Sequence, residues 1–196
     1  MKILGISGSN RRDGNCFHLL QKCLSSVSPS NQTRIIQLAN LKINPCNHCW
    51  ERCGHNFECV IQDDFQTLFT EMKLSDCLTI ACPRYFYIPS KLQAFIERLV
   101  CVHYYTKEKE AAPIYPLSGK PCGLIAVSGA GGYAGLEVLR HLEQFALSLH
   151  MCVTTTEFWP HIGITAKGGE DRKAVLEDKN AIEQAIKLLK SLTSSF

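Results

Sequence analysis

The sequence predicts an α/β fold with three layers, in which a five-stranded parallel sheet of order 2-1-3-4-5 carries helices on both faces. Five short apolar runs of strand length alternate with five segments whose apolar residues recur at helical spacing. This alternation is typical of a parallel sheet wound on both sides. A stretch rich in glycine and serine, residues 5–16, follows the first strand, at the end of the sheet where such folds bind ligands.

The predicted strands are apolar runs bounded by glycine, proline or polar residues. They are residues 2–6, 33–38, 77–82 and 122–127, with a final strand within residues 152–158. Pro83 ends the third run, which is predicted to lie at the centre of the sheet. Each predicted helix has one apolar face. The residues of these faces are Cys16, Leu19, Leu20, Cys23, Leu24 and Val27; Phe65, Leu68, Phe69 and Met72; Leu92, Phe95, Ile96 and Leu99; Leu136, Leu139, Leu142, Phe145 and Leu149; and Ile182, Ala185, Ile186, Leu189 and Leu192.

Length and composition predict one domain that spans residues 1–196. Hydrophobic residues make up 45% and charged residues 20% of the chain, and the net charge is only +3. So small a charge gives no reason to expect nucleic acid or a membrane surface as partner, and a small molecule is expected instead. The N-terminus has no apolar signal segment and no run is long enough to span a bilayer, so a cytoplasmic protein is expected. Residues 106–120 are predicted to form a surface excursion.

The loop after the first strand contains the groups that bind a phosphate. Its glycines let the backbone approach a ligand closely, and the following helix presents unpaired N–H groups at its N-terminus. Arg11 adds a cation, although glycine, serine and asparagine also occur in ordinary turns. The candidate cofactor-binding residues of this loop are Ser7, Ser9, Arg11, Gly14, Asn15 and Cys16, of which Ser9, Arg11, Asn15 and Cys16 are assigned to the phosphate.

Two further loops follow the third and fourth strands and are expected to meet the first loop at one edge of the sheet. One places three aromatic residues side by side, where a flat ring could lie against them. The other is a run of small residues whose amides suit the polar edge of a ring. The candidates are Pro83, Arg84, Tyr85, Phe86 and Tyr87, and Ser128, Gly129, Ala130, Gly131, Gly132 and Tyr133. A phosphate, a flat ring and a polar ring edge together describe FMN.

The first loop resembles the G-S-x-R-x-x-G-N-T phosphate loop of the flavodoxin-like NAD(P)H-dependent FMN reductases. Residues 82–86 and 90–98 are similar to the P-V-Y-F loop and the L-K-A-F-I-D-R helix of the same family. Cys16 stands where the family usually has threonine or serine, and Arg84 where it has valine. A thiol is a weak hydrogen-bond donor. Arg84 puts a second cation near the expected flavin, where it would favour a negatively charged reduced ring or bind an anionic substrate.

Four of the eleven cysteines are clustered with the spacing C-x2-C-x3-C-x5-C. Four thiolates in a short segment suit an iron-sulfur cluster or structural zinc, and thiols without a metal are the third alternative. The segment is similar to that of the iron-sulfur flavoproteins, a branch of the same fold family, which implies a 4Fe-4S cluster close to FMN. The candidate ligands are Cys46, Cys49, Cys53 and Cys59.

A different class of function would use the same segment. Cys46 and Arg52 have the spacing of cysteine-dependent phosphatases. The five residues between them contain no glycine and include Glu51, which would repel a phosphate, so a phosphatase is disfavoured.

The resemblance implies an FMN-dependent NAD(P)H oxidoreductase that passes electrons from NADH or NADPH through FMN to a small-molecule or protein acceptor. The protein would orient the cofactor, and no side chain is assigned as a catalytic acid or base. The alternative is an iron-sulfur flavoprotein that acts as an electron carrier with a ferredoxin as partner. Relatives are dimers or tetramers, so a homodimer or homotetramer is expected, with Tyr104, Tyr105 and Trp159 as candidate contact residues.

Overall fold

The computed structural model of the chain describes residues 1–49, 52, 59–104 and 115–194. These residues form a sheet of parallel strands with helices on both faces, as predicted. The strands are β1 (Lys2–Ser7), β2 (Gln32–Gln37), β3 (Cys77–Pro83), β4 (Pro121–Ser128), β5 (Cys152–Val153) and β6 (Ile164–Lys167). The helices are α1 (Asn15–Leu24), α2 (Asp64–Leu74), α3 (Ser90–Tyr104), α4 (Tyr133–Ser148) and α5 (Lys179–Ser194).

The strand order is β2-β1-β3-β4-β5, which confirms the predicted order 2-1-3-4-5. The last position is shared by two short strands, because β6 also pairs with β4. The predicted final strand, residues 152–158, contains β5 only, since the polar residues that follow Val153 leave the sheet. In the described part of the chain the sheet therefore has six strands rather than the five predicted, and β6 is the strand that was not predicted.

Alternate residues of the central strands pack against different helices, because successive side chains of a strand point to opposite faces. Leu4, Leu78 and Leu124 belong to a core cluster with residues of α2, α3 and α4. Ile3 and Ile125 belong to a second cluster with residues of α1 and α5. The sheet thus lies between a layer of α2, α3 and α4 and a layer of α1 and α5, which are the three layers that the sequence predicts.

The carboxyl ends of four strands lie at one edge of the sheet. Ser7 of β1 pairs with Ala81 of β3, and Pro83 at the end of β3 pairs with Val127 of β4. Ser128 then pairs with Lys167 at the end of β6. The three loops predicted to meet therefore start from neighbouring positions, and the loop after β6 joins them.

One expectation, the surface excursion at residues 106–120, falls partly outside the described residues. Residues 106–114 of this excursion are not among the described residues, and Leu117 in the remainder is buried. Among the helices that the structure describes, none is long and apolar enough to cross a membrane.

Candidate functional site

A cavity of ≈ 360 Å³ opens at the edge where β1, β3, β4 and β6 end. This volume lies in the range of small-molecule sites. Its walls come from four loops. The lining residues are Ser9, Arg11, Asn15, Cys16, Pro83, Arg84, Tyr85, Val127, Ser128, Gly129, Gly168, Gly169 and Glu170.

The structure brings together residues from all three predicted loops, but not every candidate. The candidates that line the cavity are Ser9, Arg11, Asn15, Cys16, Pro83, Arg84, Tyr85, Ser128 and Gly129. Those outside the cavity wall are Ser7, Gly14, Phe86, Tyr87, Ala130, Gly131, Gly132 and Tyr133. The assignment of these residues to a cofactor stays a prediction.

The first loop is fixed at both ends by the sheet. The N–H of Gly8 donates to the carbonyl of Ala81 at 2.8 Å, and a Cβ at Gly8 would lie 2.8 Å from Cδ2 of Leu92. Asp13 and Gln37 exchange two hydrogen bonds at 2.8 and 3.0 Å. The loop therefore has a defined shape, and a glycine is required where it crosses α3.

The N-terminus of α1 faces the cavity. Gly14 precedes the helix and provides no side-chain cap, and the first N–H groups of a helix have no partner within it. Cys16 in this first turn is buried, and burial raises the pKa of its thiol, which stays protonated at neutral pH. Ser7 lies beneath the loop, and its buried hydroxyl has no hydrogen-bond partner among the described residues. The N–H groups at the N-terminus of α1 that have no partner within the helix fit an anionic group such as a phosphate.

Residues 168–172, which follow β6, form a segment that we call the strap. Nη1 of Arg11 donates to the carbonyl of Glu170 at 2.6 Å. Nδ2 of Asn15 donates to the carbonyls of Gly169 and Asp171, both at 3.0 Å. The strap thus closes one side of the cavity and uses two side chains that the sequence analysis assigned to the phosphate.

Arg84 lies in the cavity wall at the end of β3. Its N–H donates to the carbonyl of Val127 at 2.9 Å, which extends the ladder between β3 and β4. Nη2 of Arg84 lies 3.5 Å from Oε2 of Glu137, and both side chains are partly exposed. An ion pair of this kind is weak because solvent screens it. The guanidinium is therefore available to an anionic group in the cavity.

The three aromatic residues after Arg84 form a narrow turn. Tyr85 and Tyr87 pair through their backbones, and Phe86 between them has a φ of 53° and is 90% exposed. Phe86 is absent from the cavity wall, whereas Tyr85 lies in it. Three side-by-side aromatic residues were expected to face a ring, but only the first of them lines the cavity.

The glycine loop after β4 turns sharply into α4. Gly131 and Gly132 have φ values of 64° and 46°, a conformation that favours glycine. The carbonyl of Ser128 accepts hydrogen bonds from Gly131 at 3.3 Å and from Gly168 of the strap at 2.8 Å. A Cβ at Gly129 would meet nothing within 4 Å, so the backbone there is open to the cavity. This arrangement fits close contact with a flat ligand.

The described cysteines of the cysteine segment, Cys46, Cys49 and Cys59, are not among the residues that line this cavity. Cys59 is buried, and Cys46 and Cys49 are half-buried. Cys53 lies outside the described residues. Within the described part of the chain, no three side chains of histidine, cysteine, aspartate or glutamate come together to hold a metal.

A buried ion pair, which we call the clamp, joins the two ends of the cysteine segment. The side chains of Arg98 and Asp63 are 0% and 2% exposed and lie 2.6 Å apart. Nη2 of Arg98 donates to the carbonyl of Ile61 at 2.7 Å, and Nη1 donates to that of Asn44 at 3.3 Å. One guanidinium thus binds the chain on both sides of the cysteines.

The clamp also sets the charge of Asp63. Burial alone would raise the pKa of its carboxyl, but hydrogen bonds from Arg98, Asn44 and the N–H of Phe65 hold the pKa below its usual value. Asp63 is therefore ionised at neutral pH. It also caps α2 through the bond from Phe65 at 3.0 Å.

Four lining residues were not among the candidates predicted from the sequence: Val127, Gly168, Gly169 and Glu170. The last three follow β6, a strand of four residues that was not predicted. A signal was nevertheless present, because the alternation of Ile164 and Ala166 with polar residues precedes a Gly-Gly pair. A short edge strand followed by a glycine turn has this pattern.

Comparisons with known proteins give one family and one fold. The family described as NADPH-dependent FMN reductase matches residues 1–163. An iron-sulfur flavoprotein of Methanocaldococcus jannaschii is 29% identical over 176 residues, which cover 86% of this chain and 83% of that protein.

Two solved structures show the same fold at low sequence identity. The Trp repressor binding protein of Bacillus subtilis is 20% identical, with a TM-score of 0.66 over 96% of this chain and 97% of that one. A flavodoxin of Streptococcus pneumoniae TIGR4 is 8% identical, with a TM-score of 0.60 over 100% of both chains. The fold is therefore flavodoxin-like, as the sequence predicts.

Proposed function

This chain belongs to the NADPH-dependent FMN reductase family, and from that premise we propose that it is an FMN-dependent NAD(P)H oxidoreductase. Bound FMN supplies the redox chemistry, because its ring accepts a hydride from a nicotinamide and gives up electrons to an acceptor. The electron donor is NADH or NADPH. The acceptor is a small molecule or a protein.

The observation that carries this proposal is the cavity at the carboxyl ends of β1, β3 and β4. The N-terminus of α1 and Arg11 would hold the phosphate. Pro83 and Tyr85 would lie along the ring, and the open backbone at Gly129 would contact its polar edge. The protein's own part is to bind and orient the cofactor and to keep water from one face of it.

FMN titration tests the proposal directly. We expect apoprotein to quench the fluorescence of added FMN with one site per chain, and the complex to oxidise NADH or NADPH. Arg11→Gln should weaken FMN binding by about tenfold or more, because a charge-assisted bond to a phosphate is lost. Arg140→Gln is the matched control, since Arg140 is exposed on α4 and absent from the cavity wall. A protein that binds no FMN would contradict the proposal.

A second candidate function rests on the cysteine segment and on the similarity to an iron-sulfur flavoprotein. In it the protein carries electrons between FMN and a 4Fe-4S cluster on Cys46, Cys49, Cys53 and Cys59, with a ferredoxin as partner. The chemistry of the donor set fits a cluster, and the clamp holds both ends of the segment.

Metal analysis of anaerobically purified protein separates the alternatives. About four irons and four sulfides per chain would support the carrier. Zinc without sulfide would support a structural metal, and no metal would leave the thiols uncoordinated. Flavin-only spectra with rapid NAD(P)H oxidation would support the reductase.

We further propose that the chain is a homodimer or homotetramer. Large aromatic side chains are exposed in the turn after β3, at the start of α4 and at Trp159, and we call this set the aromatic rim. It consists of Tyr85, Phe86, Tyr87, Tyr133 and Trp159. Tyr133 and Trp159 pack with ring centroids 4.8 Å apart. Exposed aromatic surface next to a ligand site favours an interface. Of the other two candidate contact residues, Tyr105 lies outside the described residues, as does the side chain of Tyr104.

A further inference from the structure

We propose that Asn15 is a positioning residue, whose side chain fixes the strap so that the strap holds Arg11 at the phosphate end of the cavity. This inference rests on the proposed function and deepens it. It also changes the role of Asn15, which the sequence analysis assigned to the phosphate itself.

Both the Nδ2 group and the Oδ1 atom of Asn15 form hydrogen bonds with the segment that follows β6. Both protons of Nδ2 are directed to strap carbonyls, those of Gly169 and Asp171 at 3.0 Å. Oδ1 accepts the N–H of Val175 at 2.9 Å. An amide has two donors and one acceptor oxygen, so these three bonds leave no donor of Asn15 for a ligand.

The strap in turn holds the arginine of the first loop. The carbonyl of Glu170, between the two carbonyls that Asn15 binds, accepts Nη1 of Arg11 at 2.6 Å. A second contact runs in the opposite direction, because Nη1 of Arg172 in the strap donates to the carbonyl of Arg12 in the first loop. An arginine side chain loses much conformational freedom when it is ordered. A fixed acceptor at Glu170 orders Arg11 before a ligand arrives.

Gly168 shows how closely the strap is packed. A Cβ at this position would lie 2.8 Å from Cγ1 of Val127 and 3.3 Å from Nδ2 of Asn15. Its N–H donates to the carbonyl of Ser128 at 2.8 Å. An added methyl group would therefore displace the strap while it leaves the Asn15 amide chemically intact.

The first test is hydrogen exchange in the apoprotein, measured by mass spectrometry or NMR. In Asn15→Ala we expect the N–H of Val175 and the amides of residues 168–172 to exchange at least about tenfold faster, because the bonds that hold them are lost. Asn180→Ala is the matched control, since Asn180 is exposed on α5 and bonds only Gln184 in the described structure. Unchanged exchange in Asn15→Ala would overturn the inference. This readout needs no ligand, so it stands even if the protein binds no FMN.

The second test compares FMN with riboflavin, which lacks the phosphate. We expect Asn15→Ala to lower the ratio of FMN affinity to riboflavin affinity by about tenfold. Gly168→Ala should lower it similarly, and the double variant should be no worse than the weaker-binding single variant, because both act through the strap. A normal ratio in Gly168→Ala, or additive losses in the double variant, would mean that Asn15 contacts the phosphate directly and would overturn the inference.

Discussion

Burial raises the pKa of five thiols in the two core clusters and keeps them protonated; these are Cys16, Cys23, Cys77, Cys82 and Cys122. Burial raises the pKa of Cys23 to about 12 and that of Cys77 to about 11. Cys122 is fully buried and its pKa is raised further, whereas Cys152 at the sheet edge is exposed. The thiolate is the nucleophile, so reactivity follows both exposure and pKa.

We therefore predict that iodoacetamide at pH 8 alkylates Cys152 before Cys23, Cys77 or Cys122. Peptide mass spectrometry at several times of reaction measures the rates. Protein unfolded in guanidinium serves as the control, in which the four should react at similar rates. Native labelling of Cys77 as fast as that of Cys152 would contradict the prediction.

Arg84 provides a prediction about the redox potential. A positive charge near the flavin stabilises the negatively charged reduced ring, so Arg84→Gln should lower the midpoint potential of bound FMN. The guanidinium is partly exposed, and the expected shift is about 10 to 20 mV. Dye equilibration of Arg84→Gln beside Arg140→Gln measures it. An unchanged potential together with unchanged turnover of anionic and neutral acceptors would exclude both roles suggested for Arg84.

At the scale of elements, the clamp between α2 and α3 links stability to pH. The pKa of Asp63 is lower in the folded than in the unfolded protein, where an aspartate titrates near about 3.9. As the pH falls below this value, Asp63 takes up a proton in the unfolded chain before it does so in the folded protein. The contribution of Asp63 to the free energy of unfolding is therefore present above the unfolded pKa and is lost as the pH falls through the folded pKa. We expect the free energy of unfolding, measured by urea denaturation, to fall more steeply from pH 5 to pH 2 in the wild type than in Asp63→Asn. Parallel curves would contradict this.

Removing the cation of the clamp should lower the free energy of unfolding more than removing the cation of an exposed ion pair. Arg98→Met leaves the buried carboxylate of Asp63 without its cation, and such a change typically destabilises by about 3 to 5 kcal/mol. Urea denaturation at pH 7 measures the loss. Arg34→Met is the control, because its ion pair with Glu71 is exposed and its loss should cost less than about 1 kcal/mol.

The edge of the sheet depends on a glycine just before β6. A Cβ at Gly163 would lie 2.4 Å from the carbonyl oxygen of Leu124, so Gly163→Ala must push β6 away from β4. We expect a loss of about 2 kcal/mol or more in the free energy of unfolding. Gly129→Ala, whose added methyl meets nothing within 4 Å, should change it by less than about 0.5 kcal/mol. Equal stability of the two variants would contradict the prediction.

At the scale of the whole molecule, the aromatic rim predicts self-association. Phe86→Ser should shift the proposed dimer or tetramer toward the monomer in sedimentation velocity, because an exposed aromatic side chain is removed from the contact. Leu147→Ser is the control, since Leu147 is also exposed but lies on α4 outside the rim. A wild-type protein that sediments as a monomer at all concentrations would contradict the proposed assembly.

The sequence predicts the centre of this molecule better than its edge. The runs in β1, β3 and β4 are buried on both faces and read as continuous apolar segments, which a sequence shows directly. β5 has two residues and shows no period, and the alternation in the four residues of β6 is too short to predict a strand without the Gly-Gly pair that follows it. For the same reason the strap was missed. The bonds of Asn15 join residues more than 150 positions apart, and no local pattern encodes such a partner.

The division of the outermost strand into β5 and β6 has a practical consequence. Residues 154–163 leave the sheet and return to the same neighbour, β4, so both ends of this excursion are anchored to one strand. A peptide tag or sensor module grafted there would lengthen the chain without altering the register of any other strand. The fold thus contains its own insertion point, none of whose residues line the cavity, provided that Trp159 of the aromatic rim keeps its place.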